Sequence, residues 1–472
     1  MLLAGDDAWK IKRPVRLPFL DFSALQTRHR LCEEELRLNR RLAPELYLEV
    51  VPITGTARSP RLGGSGPAIE YALHMRRFAD GALLAERLAA GDLPPRLIDR
   101  LAARLAAFHR DAPAADAASP WGRPDTVATD LRNVIERLAP LLGERRAAAM
   151  PRLRAWAERE IAALREPWRQ RREQGWVREG HGDLHLANVV VLGDAVTAFD
   201  CIEFDPALRW IDVQADIAFL VMDLLAHERA DLAFRFVDRY LEASGDYGGL
   251  AVLRVYVVYR ALVRAMVSAL RPAAAADYLG LAERWLEPPG ARLLITHGVS
   301  GSGKSHVAER LLEAASAIRV RSDVERKRLF GMAPLAASDS AVGAGLYGDD
   351  ASARTYARLR DLASIALRAG WPVIVDATFL RAADREAFRR LAREHDAPFT
   401  ILHCQAPPAV LHERVARRRQ RGDDASEADR AVLARQLASA EPLTASEQHD
   451  AIVLDTQGAP DIRALAARWT VR

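Results

Sequence analysis

The hydrophobic and polar positions near the start of the chain predict a small region rich in β-strands. Residues 8–17 alternate well enough for a strand, which Pro14 limits. Residues 21–42 repeat apolar side chains at helical spacing and predict a helix. Two more strands are predicted at 47–54 and 68–78, and the glycine-rich stretch between them favours a hairpin.

Further along the chain, the pattern is helical over residues 82–174. A polar stretch at 181–188 then leads into two short apolar runs on either side of a Gly-Asp turn. These runs predict a β-hairpin, and more helices follow it. Such a hairpin would project Asp183, Asn188 and Asp200 toward one place.

The clearest linker in the chain is Pro-Pro-Gly at 288–290. Beyond it, short apolar runs alternate with helical stretches, which is typical of a parallel α/β sheet. The predicted strands of this region are 293–296, 318–321, 372–376, 399–404 and 452–454.

This pattern divides the chain into two predicted domains of different fold class. The first is a two-lobed α+β domain, and the second is a parallel α/β domain. Their predicted bounds are residues 1–287 for the first domain (an N-lobe of about 1–80 and a helical C-lobe of about 81–287), 288–290 for the linker and 291–472 for the second domain.

Composition is consistent with two or three folded domains. The chain has 472 residues, of which 50% are hydrophobic and 28% are charged, an ordinary balance for globular proteins. A net charge of +4 suits phosphorylated ligands but does not by itself indicate nucleic acid. The three cysteines lie far apart in sequence, so neither a disulfide framework nor a zinc site is predicted.

The chain shows no targeting or membrane segment. Its first residues lack both the basic start and the long apolar core of a signal peptide. The most apolar windows, 217–225 and 251–270, are short or broken by arginines and read as buried helices. We therefore expect a cytoplasmic protein with no membrane partner; its oligomeric state is not readable from the sequence.

The strongest chemical motif runs from Gly298 to Ser305 and reads G-V-S-G-S-G-K-S. A strand-like run precedes it and a helical run follows it, as a phosphate-binding loop requires. Glycines let backbone N–H groups face phosphates at a helix N-terminus, while the lysine reaches the β/γ-phosphates and the serine ligates Mg²⁺. The alternative is a chance Gly/Ser loop before a helix. The predicted nucleotide-binding residues are Gly298, Gly301, Ser302, Gly303, Lys304 and Ser305.

Downstream residues are expected to complete this nucleotide site. Asp376, which ends a predicted strand, is the candidate for the second Mg²⁺ ligand beside Ser305. Asp323 also follows a strand and is our candidate to orient the acceptor hydroxyl or act as its base, the alternative being a helix N-cap. Arg414 and Arg417 lie on a predicted lid helix, where they would clamp the transferred phosphoryl group unless they form a solvated basic face.

A second motif, His181-Gly182-Asp183-x-x-x-x-Asn188, has the spacing of the protein-kinase catalytic loop. In this chemistry Asp183 accepts the proton of a substrate hydroxyl and Asn188 holds Mg²⁺. Asp200, at the end of the next strand, fits the other metal position, although the letters D-F-G are absent. The alternative is a group of surface acidic residues near a hairpin.

Glu35 lies on the apolar stripe of the predicted helix 21–42, where a carboxylate is costly unless a cation meets it. The nearest candidates are Lys10 and Lys12 on the preceding strand. The run Ala8-Trp9-Lys10 imitates the V-A-I-K strand that anchors ATP in kinases, but Lys12 fits the alternation too. Both lysines therefore stay candidates for the ATP anchor, with Glu35 as the ion-pair partner.

The H-G-D-x-x-x-x-N run, followed by a hydrophobic strand and an aspartate, resembles the aminoglycoside phosphotransferase and choline-kinase-like family. The run Leu-Ala-Ala-Phe-His at 105–109, together with Asp212 and Asp216, extends the resemblance into that family's helical lobe. The resemblance implies a two-lobed kinase-like fold and transfer of phosphate from ATP. That fold normally opens with two strands and a phosphate-covering loop, yet only seven residues precede Ala8, so an upstream start or a lost lid is expected.

The second half resembles P-loop kinases grouped with zeta toxins and polynucleotide kinase, on the loop at 298–305 and the run at 321–329. The two halves in this order resemble a bacterial family described only as bifunctional, over nearly the entire chain.

Together these features predict a phosphotransferase that uses ATP or GTP with Mg²⁺ and acts on a small-molecule hydroxyl of the sugar, amino sugar or aminoglycoside class. Alternatives are a P-loop polynucleotide 5′-hydroxyl or nucleoside kinase regulated by a ligand-binding pseudokinase, and a non-enzymatic nucleotide switch. Nucleic acid is not favoured as a partner, because no strand interleaves basic and aromatic residues.

Overall fold

A computed structural model of the chain describes residues 1–17, 20–143, 146, 148–270, 276–334, 336, 348–421 and 424–471. The chain forms two compact units, each assembled from two stretches of sequence. The first unit comprises Met1–His227 and Val255–Glu283, and the second comprises Glu228–Arg254 and Arg284–Arg472. The predicted bounds of 1–287 and 291–472 stay a prediction, and the compact units differ from them by placing Glu228–Arg254 in the second unit.

The first unit opens with a five-stranded antiparallel sheet in the order β1-β2-β7-β5-β6. Helix α1 packs against this sheet, and Leu36, Tyr47 and Leu73 are buried between them. The elements of this lobe are β1 (Leu2–Ala4), β2 (Asp7–Ile11), β3 (Arg16–Leu17), β4 (Leu20–Asp21), α1 (Leu25–Asn39), β5 (Tyr47–Thr56), β6 (Ser59–Leu62) and β7 (Glu70–Arg76).

The predicted strands and helix of this lobe are present, with changed ends. The predicted strand at 8–17 is interrupted after Ile11, because Pro14 lacks the N–H that a sheet ladder needs. The glycine-rich stretch between the two later strands contains β6, a strand that the sequence did not predict.

The rest of the first unit is mostly helical. Prolines at the first positions of α3 and α4 suit helix starts, where an N–H has no partner within the helix. Its elements are α2 (Leu84–Ala89), α3 (Pro95–Asp111), α4 (Pro124–Leu138), α5 (Met150–Glu173), β8 (Val177–Glu179), β9 (Val189–Leu192), β10 (Ala195–Ala198), β11 (Trp210–Asp212) and α6 (Val213–Ala226).

Two small antiparallel pairs, β8 with β11 and β9 with β10, hold the loops of this lobe. The β9–β10 hairpin is the one that the sequence predicted. Helices α7 (Ala230–Ser244), α8 (Leu250–Leu270) and α9 (Tyr278–Arg284) follow in the chain. Within the described residues, every helix is too short or too polar to cross a membrane.

The second unit contains the predicted parallel sheet, in the order β13-β14-β12-β15-β16. Its strands are β12 (Arg292–His297), β13 (Ile318–Arg321), β14 (Pro372–Asp376), β15 (Phe399–Gln405) and β16 (Ala451–Asp455). Its helices are α10 (Lys304–Ala315), α11 (Ser322–Leu329), α12 (Asp349–Arg368), α13 (Ala382–Glu394), α14 (Pro408–Arg421), α15 (Arg430–Ser439), α16 (Ala445–Asp450) and α17 (Ile462–Val471), together with α7 from the earlier segment.

Nearly continuous apolar runs form the central strands of this sheet, as expected for parallel strands that are buried on both faces. Because parallel strands end at one edge, the residues that follow β12, β13 and β14 come together there. The fold therefore gathers the predicted P-loop, Asp323 and Asp376 at the same edge of the sheet.

Candidate active sites

The loop between β12 and α10 has the backbone shape of a phosphate-binding loop. Gly301 and Gly303 both have φ of +82°, in the left-handed region that favours glycine. A Cβ atom on Gly301 would lie 2.7 Å from the carbonyl oxygen of Leu411, so a larger residue does not fit there. Gly303 is the N-cap residue of α10, so the loop ends at a helix N-terminus, where N–H groups favour anions.

Lys304 and Ser305 begin α10. The Lys304 ammonium is buried and donates a hydrogen bond to the carbonyl oxygen of Val299 at 2.8 Å. Burial, more than any neighbouring charge, lowers the pKa of Lys304 from its usual range. Ser305 Oγ donates to Asp376 Oδ1 at 3.2 Å, which brings together the two predicted metal ligands.

This donor pair fits Mg²⁺. The ion accepts oxygen ligands, uses one or two protein groups and takes the remainder from water and phosphate oxygens. A hydroxyl and a carboxylate side by side at the end of a phosphate-binding loop meet that description. When bound, Mg²⁺ would neutralise charge on the β- and γ-phosphate oxygens.

A cavity of about 1160 Å³ opens beside this loop. Asp323 lines the cavity from the first turn of α11, where the sequence left a capping role open. The cap position of α11 is Arg321, so Asp323 is not the N-cap residue and its carboxylate faces the cavity. Asp323 and Asp376 therefore line the same space as Lys304.

The two arginines predicted on the lid helix α14 behave differently, although both line this cavity. Arg414 donates to the carbonyl oxygen of Gly301 at 3.3 Å and to Oγ1 of Thr456 at 3.0 Å, so it is fixed beside the loop. Arg417 pairs with Glu413 one turn earlier, and 63% of its side chain is exposed. Arg414 fits the predicted clamp, whereas Arg417 resembles the alternative of a solvated basic face.

Several residues of this site were not predicted from the sequence. Thr456 donates to the carbonyl oxygen of Ser302 at 2.9 Å, and Gln436 accepts a hydrogen bond from the N–H of Ser300 at 2.7 Å. Arg418 also lines the cavity. Thr456 and Gln436 lie more than a hundred residues after the loop in ordinary surroundings, so no motif marked them.

In the first unit, Glu35 forms ion pairs with lysine side chains, as predicted. Glu35 is fully buried and accepts hydrogen bonds from Lys10 at 2.7 Å and from Lys12 at 2.6 Å. Burial opposes ionisation of this carboxylate, but the two ammonium groups lower its pKa below the usual range. Glu35 is therefore a charged residue in the core of the small lobe.

The two lysines differ in their second partner and in exposure. Lys10 contacts Asp200 at 2.6 Å and keeps 29% of its side chain exposed. Lys12 pairs with Glu203, and only 4% of its side chain is exposed. Five charged groups thus form a chain in the order Asp200, Lys10, Glu35, Lys12 and Glu203.

Asp200 has a strained backbone, with φ of +66°. Its N–H donates to the hydroxyl of Tyr47 at 3.0 Å, which helps to hold this conformation. Left-handed conformations of residues other than glycine cluster at active sites, where the fold directs a side chain into one position. Here the carboxylate is directed at Lys10.

The predicted catalytic loop is present after β8. Asn188 donates its side-chain N–H to Oδ2 of Asp183 at 3.1 Å, so these two predicted residues meet. Burial raises the pKa of Asp183, but the hydrogen bond and charge of His185 outweigh it and bring the pKa below the usual range. Asp183 is therefore ionised at neutral pH, as an acceptor of a hydroxyl proton must be.

A buried carboxylate fixes this loop. Asp216 accepts hydrogen bonds from the backbone N–H groups of His181 at 2.7 Å and Gly182 at 2.9 Å. It also contacts Nε2 of His109 at 3.1 Å. His109 and Asp216, which extended the family resemblance in the sequence, thus act together to position the residue before Asp183.

The donor atoms of this site also suit Mg²⁺. The Asn188 amide nitrogen is engaged with Asp183, which directs its oxygen elsewhere, and the Asp200 carboxylate is 41% exposed. One carboxylate and one amide oxygen are a common protein contribution to a Mg²⁺ that also binds phosphates. Within the described part of the chain, no cluster of three or more His, Cys, Asp or Glu side chains could hold a metal by itself.

Comparison with known proteins gives a family match for each half of the chain. The family model described as the phosphotransferase enzyme family matches residues 19–256, half of the chain. The chain belongs to this family. A second model, described as an AAA domain, matches residues 293–443, which include the P-loop, Asp323 and Asp376.

Curated relatives match nearly the whole chain. Uncharacterized proteins of Mycobacterium tuberculosis and Mycobacterium bovis are 30% identical over 446 residues, which cover 92% of this chain and 87% of theirs. The phosphotransferase half and the P-loop half therefore occur together in these relatives as well.

Two of the solved structures that resemble part of the chain are kinases. A sugar kinase from Janibacter sp. HTCC2649 is 22% identical, with coverage of 38% of this chain and 94% of that chain and a TM-score of 0.28. A choline kinase from Cryptosporidium parvum Iowa II is 11% identical, with coverage of 47% and 70% and a TM-score of 0.33.

The two matched families establish the general chemistry. The chain is an ATP-dependent phosphotransferase with a kinase-like fold in its first half and a P-loop kinase-like domain in its second. Both families use nucleotide, and Mg²⁺ accompanies nucleotide in such enzymes.

Proposed function

We propose that the chain carries two kinase sites, each of which binds Mg²⁺ with ATP or GTP and transfers the γ-phosphoryl group to a hydroxyl of a small molecule. One observation carries this proposal: each unit gathers its own lysine and its own metal-ligand candidates. These are Lys10 with Asn188 and Asp200 in the first unit, and Lys304 with Ser305 and Asp376 in the second.

In the first unit, the residues fall into the roles of a protein-kinase site. Lys10, rather than Lys12, is the nucleotide anchor, because it is the partly exposed lysine beside Asp200. Asp183 accepts the proton from the acceptor hydroxyl as that oxygen bonds to phosphorus and the bond to the leaving phosphate breaks. Asn188 and Asp200 hold Mg²⁺, which stabilises the charge on the phosphates.

The acceptor of the first unit is proposed to place its amino-bearing group in an aromatic pocket close to the catalytic loop. This pocket has a volume of about 70 Å³, which suits one substituent of the acceptor and not the whole molecule. Trp121, Trp210 and Tyr259 are among its lining residues. Leu208 also lines it, and the Leu208 carbonyl oxygen would lie 2.7 Å from a Cβ on Gly182 in the catalytic loop. Flat aromatic faces suit a sugar ring or an ammonium group.

Asp130 adds an acidic group to this pocket. Loss of water around the carboxylate, with a smaller effect of Asp205, raises the pKa of Asp130 to about 6. An amino group on the acceptor would restore the ionised form by pairing with it. The pocket therefore supports an amino sugar or aminoglycoside as the acceptor class.

In the second unit, Lys304 and Arg414 are placed to bind phosphates, and Asp323 is placed to orient an acceptor hydroxyl. The cavity of about 1160 Å³ exceeds the 300–1,000 Å³ that one small ligand usually occupies, which supports simultaneous binding of nucleotide and acceptor. We propose that this acceptor is also a small hydroxyl compound.

The test is ATP consumption by the full chain with a panel of sugars, amino sugars, aminoglycosides, nucleosides and 5′-hydroxyl oligonucleotides. Wild type is compared with Lys304→Ala and Asp183→Asn, with Glu413→Gln as a matched control that removes a surface charge on α14. Two sites predict that each of the first two variants loses turnover of a different acceptor, while the control loses neither.

Two other outcomes would replace the proposal. If only Lys304→Ala reduces turnover, the first unit is a ligand-binding pseudokinase. If an oligonucleotide is the acceptor and its binding weakens steeply with salt, the P-loop unit is a polynucleotide kinase.

A further inference from the structure

Helix α7 (Ala230–Ser244) belongs to the second unit, although its sequence lies within residues 19–256 matched by the phosphotransferase family model. It lies outside residues 293–443, which the AAA-domain model matches. In the structure it packs against α10, which follows the P-loop, and against β13. A helix from the segment that the phosphotransferase model matches therefore forms part of the P-loop unit.

The contact between α7 and β13 is a buried ion pair. Asp238 accepts two hydrogen bonds from Arg319, at 3.2 Å and 2.8 Å. Both side chains are 1% exposed. A buried guanidinium is expensive unless a carboxylate pairs with it, so Arg319 depends on α7 for its charge partner.

Glu242 lies one turn further along α7 and contacts three guanidinium groups. It accepts from Arg239 on its own helix at 3.0 Å, and from Arg319 at 3.2 Å and Arg321 at 3.5 Å on β13. Burial opposes its ionisation, but Arg321 and Arg319 lower the pKa of Glu242 to about 2. Glu242 is therefore a fixed negative charge at the end of β13.

The same two arginines reach the proposed Mg²⁺ ligands. Arg319 Nη1 donates to the carbonyl oxygen of Ser305 at 3.4 Å. Arg321 Nε lies 3.9 Å from Asp376 Oδ2, and Arg321 also donates to Asp424 at 3.2 Å. Arg321 is thus shared among three carboxylates, one of which is a metal-ligand candidate.

We infer that Glu242 is a positioning residue of the P-loop site, which holds Arg321 away from Asp376 and so keeps that carboxylate available to Mg²⁺. This inference rests on the proposed Mg²⁺·nucleotide site of the second unit. Without the charge of Glu242, the attraction of Arg321 to Asp376 has one less competitor. Arg321 then closes on Asp376 and competes with the divalent ion.

The test measures how nucleotide binding by the full chain depends on Mg²⁺ concentration. The probe is ADP, titrated by calorimetry at a series of Mg²⁺ concentrations in a Lys10→Ala background that silences the first site. Glu242→Gln is expected to raise the half-saturating Mg²⁺ concentration about tenfold, the usual range for loss of a group that orients a metal ligand. Binding of ADP without Mg²⁺ is expected to change little.

Three further variants separate positioning from general damage. Glu313 on α10 pairs with Arg235 of α7 at 2.6 Å, away from Arg319 and Arg321. Glu313→Gln therefore breaks another ion pair of α7, and its Mg²⁺ dependence should match the background. Glu242→Asp keeps the charge and should restore most of the Mg²⁺ affinity. Arg321→Gln removes the guanidinium group that competes with Mg²⁺ for Asp376. Adding Glu242→Gln to this variant should therefore not raise the half-saturating Mg²⁺ concentration further.

Failure of the inference is distinguishable from failure of the proposed site. If the Lys10→Ala background shows no Mg²⁺-dependent ADP binding, the proposed P-loop site is wrong. If it does bind, and Glu242→Gln has the same Mg²⁺ dependence as the background, Glu242 is not a positioning residue. If Glu242→Gln lowers the folded fraction, the comparison is made between Arg321→Gln and the double variant that carries both changes. A higher half-saturating Mg²⁺ concentration in the double variant would overturn the inference.

Discussion

The two units hold the lysine of their proposed nucleotide sites in opposite ways. In the P-loop unit, Lys304 hydrogen-bonds to oxygen atoms of its own loop, two and five residues away. In the kinase-like unit, Lys10 pairs with Glu35 and Asp200, which are 25 and 190 residues away. One site is made by a continuous segment, and the other exists only when three distant parts of the fold are in place.

The difference lies in which part of the peptide carries the charge. A P-loop uses backbone N–H groups and a helix N-terminus, so a short segment with suitable glycines can supply most of the site. The kinase-like site uses charged side chains in the core, and each of them needs a partner of opposite charge. The alternating chain of five charged groups that begins at Asp200 and ends at Glu203 supplies these partners.

The two sites share one device. Each has a residue other than glycine with positive φ beside the site: Asp200 in the first unit and Phe379 in the second. In each case a tyrosine hydroxyl accepts the strained residue's N–H, Tyr47 at 3.0 Å and Tyr356 at 3.1 Å. Buried tyrosines thus stabilise the strained backbone in both folds.

The largest expected effect is the loss of the P-loop reaction in Lys304→Ala. Removing this ammonium takes away a charge aimed at the transferred phosphoryl group, so kcat/KM is expected to fall on the order of 10³-fold. Steady-state kinetics with the acceptor of the second unit measure it. Turnover of the first unit's acceptor should be unchanged, and a parallel loss there would show that the two sites are not independent.

Asp183→Asn is the corresponding change in the first unit. The amide keeps the shape of the side chain but cannot take the hydroxyl proton, so kcat is expected to fall roughly 10²- to 10⁴-fold. The KM for ATP should change little, because Asp183 does not pair with Lys10 in the described contacts. A large rise in the KM for ATP with unchanged kcat would contradict the assigned role.

Lys10 and Lys12 are expected to have different roles, because only one of them is expected to bind the nucleotide. Lys12→Met leaves the buried Glu35 with one less cation and should lower the free energy of unfolding by about 3 kcal/mol, measured by denaturant titration. Lys10→Met should raise the KM for ATP about a hundredfold, since it removes a charged hydrogen bond to phosphate. The reverse pattern would make Lys12 the anchor.

The smallest expected effect concerns the acceptor of the first unit. Asp130 has a pKa raised to about 6, so it is ionised above that pH and neutral below it. The KM for an amino-bearing acceptor should rise about tenfold as pH falls from 7 to 5, while Asp130→Asn should have a high KM at both pH values. An acceptor without an amino group is the matched control. If the KM values of the two acceptors depend on pH equally, the amino group does not pair with Asp130.

The sequence predicted the fold class of both units and most of the second site, because these depend on local pattern. The loop from Gly298 to Ser305 needs only its own residues, and Asp376 is marked by the strand that it ends. Glu35 was predictable too, since a carboxylate on an apolar stripe requires a cation. The choice between Lys10 and Lys12 was not, because both fit the same alternation.

The remaining features depend on packing that no local pattern encodes. The sequence of α7 is amphipathic and predicts a helix with a buried face, but not which unit buries it. The contacts of Glu242 with Arg319 and Arg321 follow only once α7 packs on β13. Thr456, likewise, reaches the P-loop because β16 lies beside β15 in the sheet.

The most direct test of the central claim is the number of nucleotides bound per chain. Equilibrium binding of a non-hydrolysable ATP analogue with Mg²⁺ should give two per wild-type chain, one in Lys304→Ala and one in Lys10→Ala. The double variant should bind none. A wild-type value of one, lost entirely in Lys304→Ala and unaffected by Lys10→Ala, would contradict the account and leave the first unit without a nucleotide site.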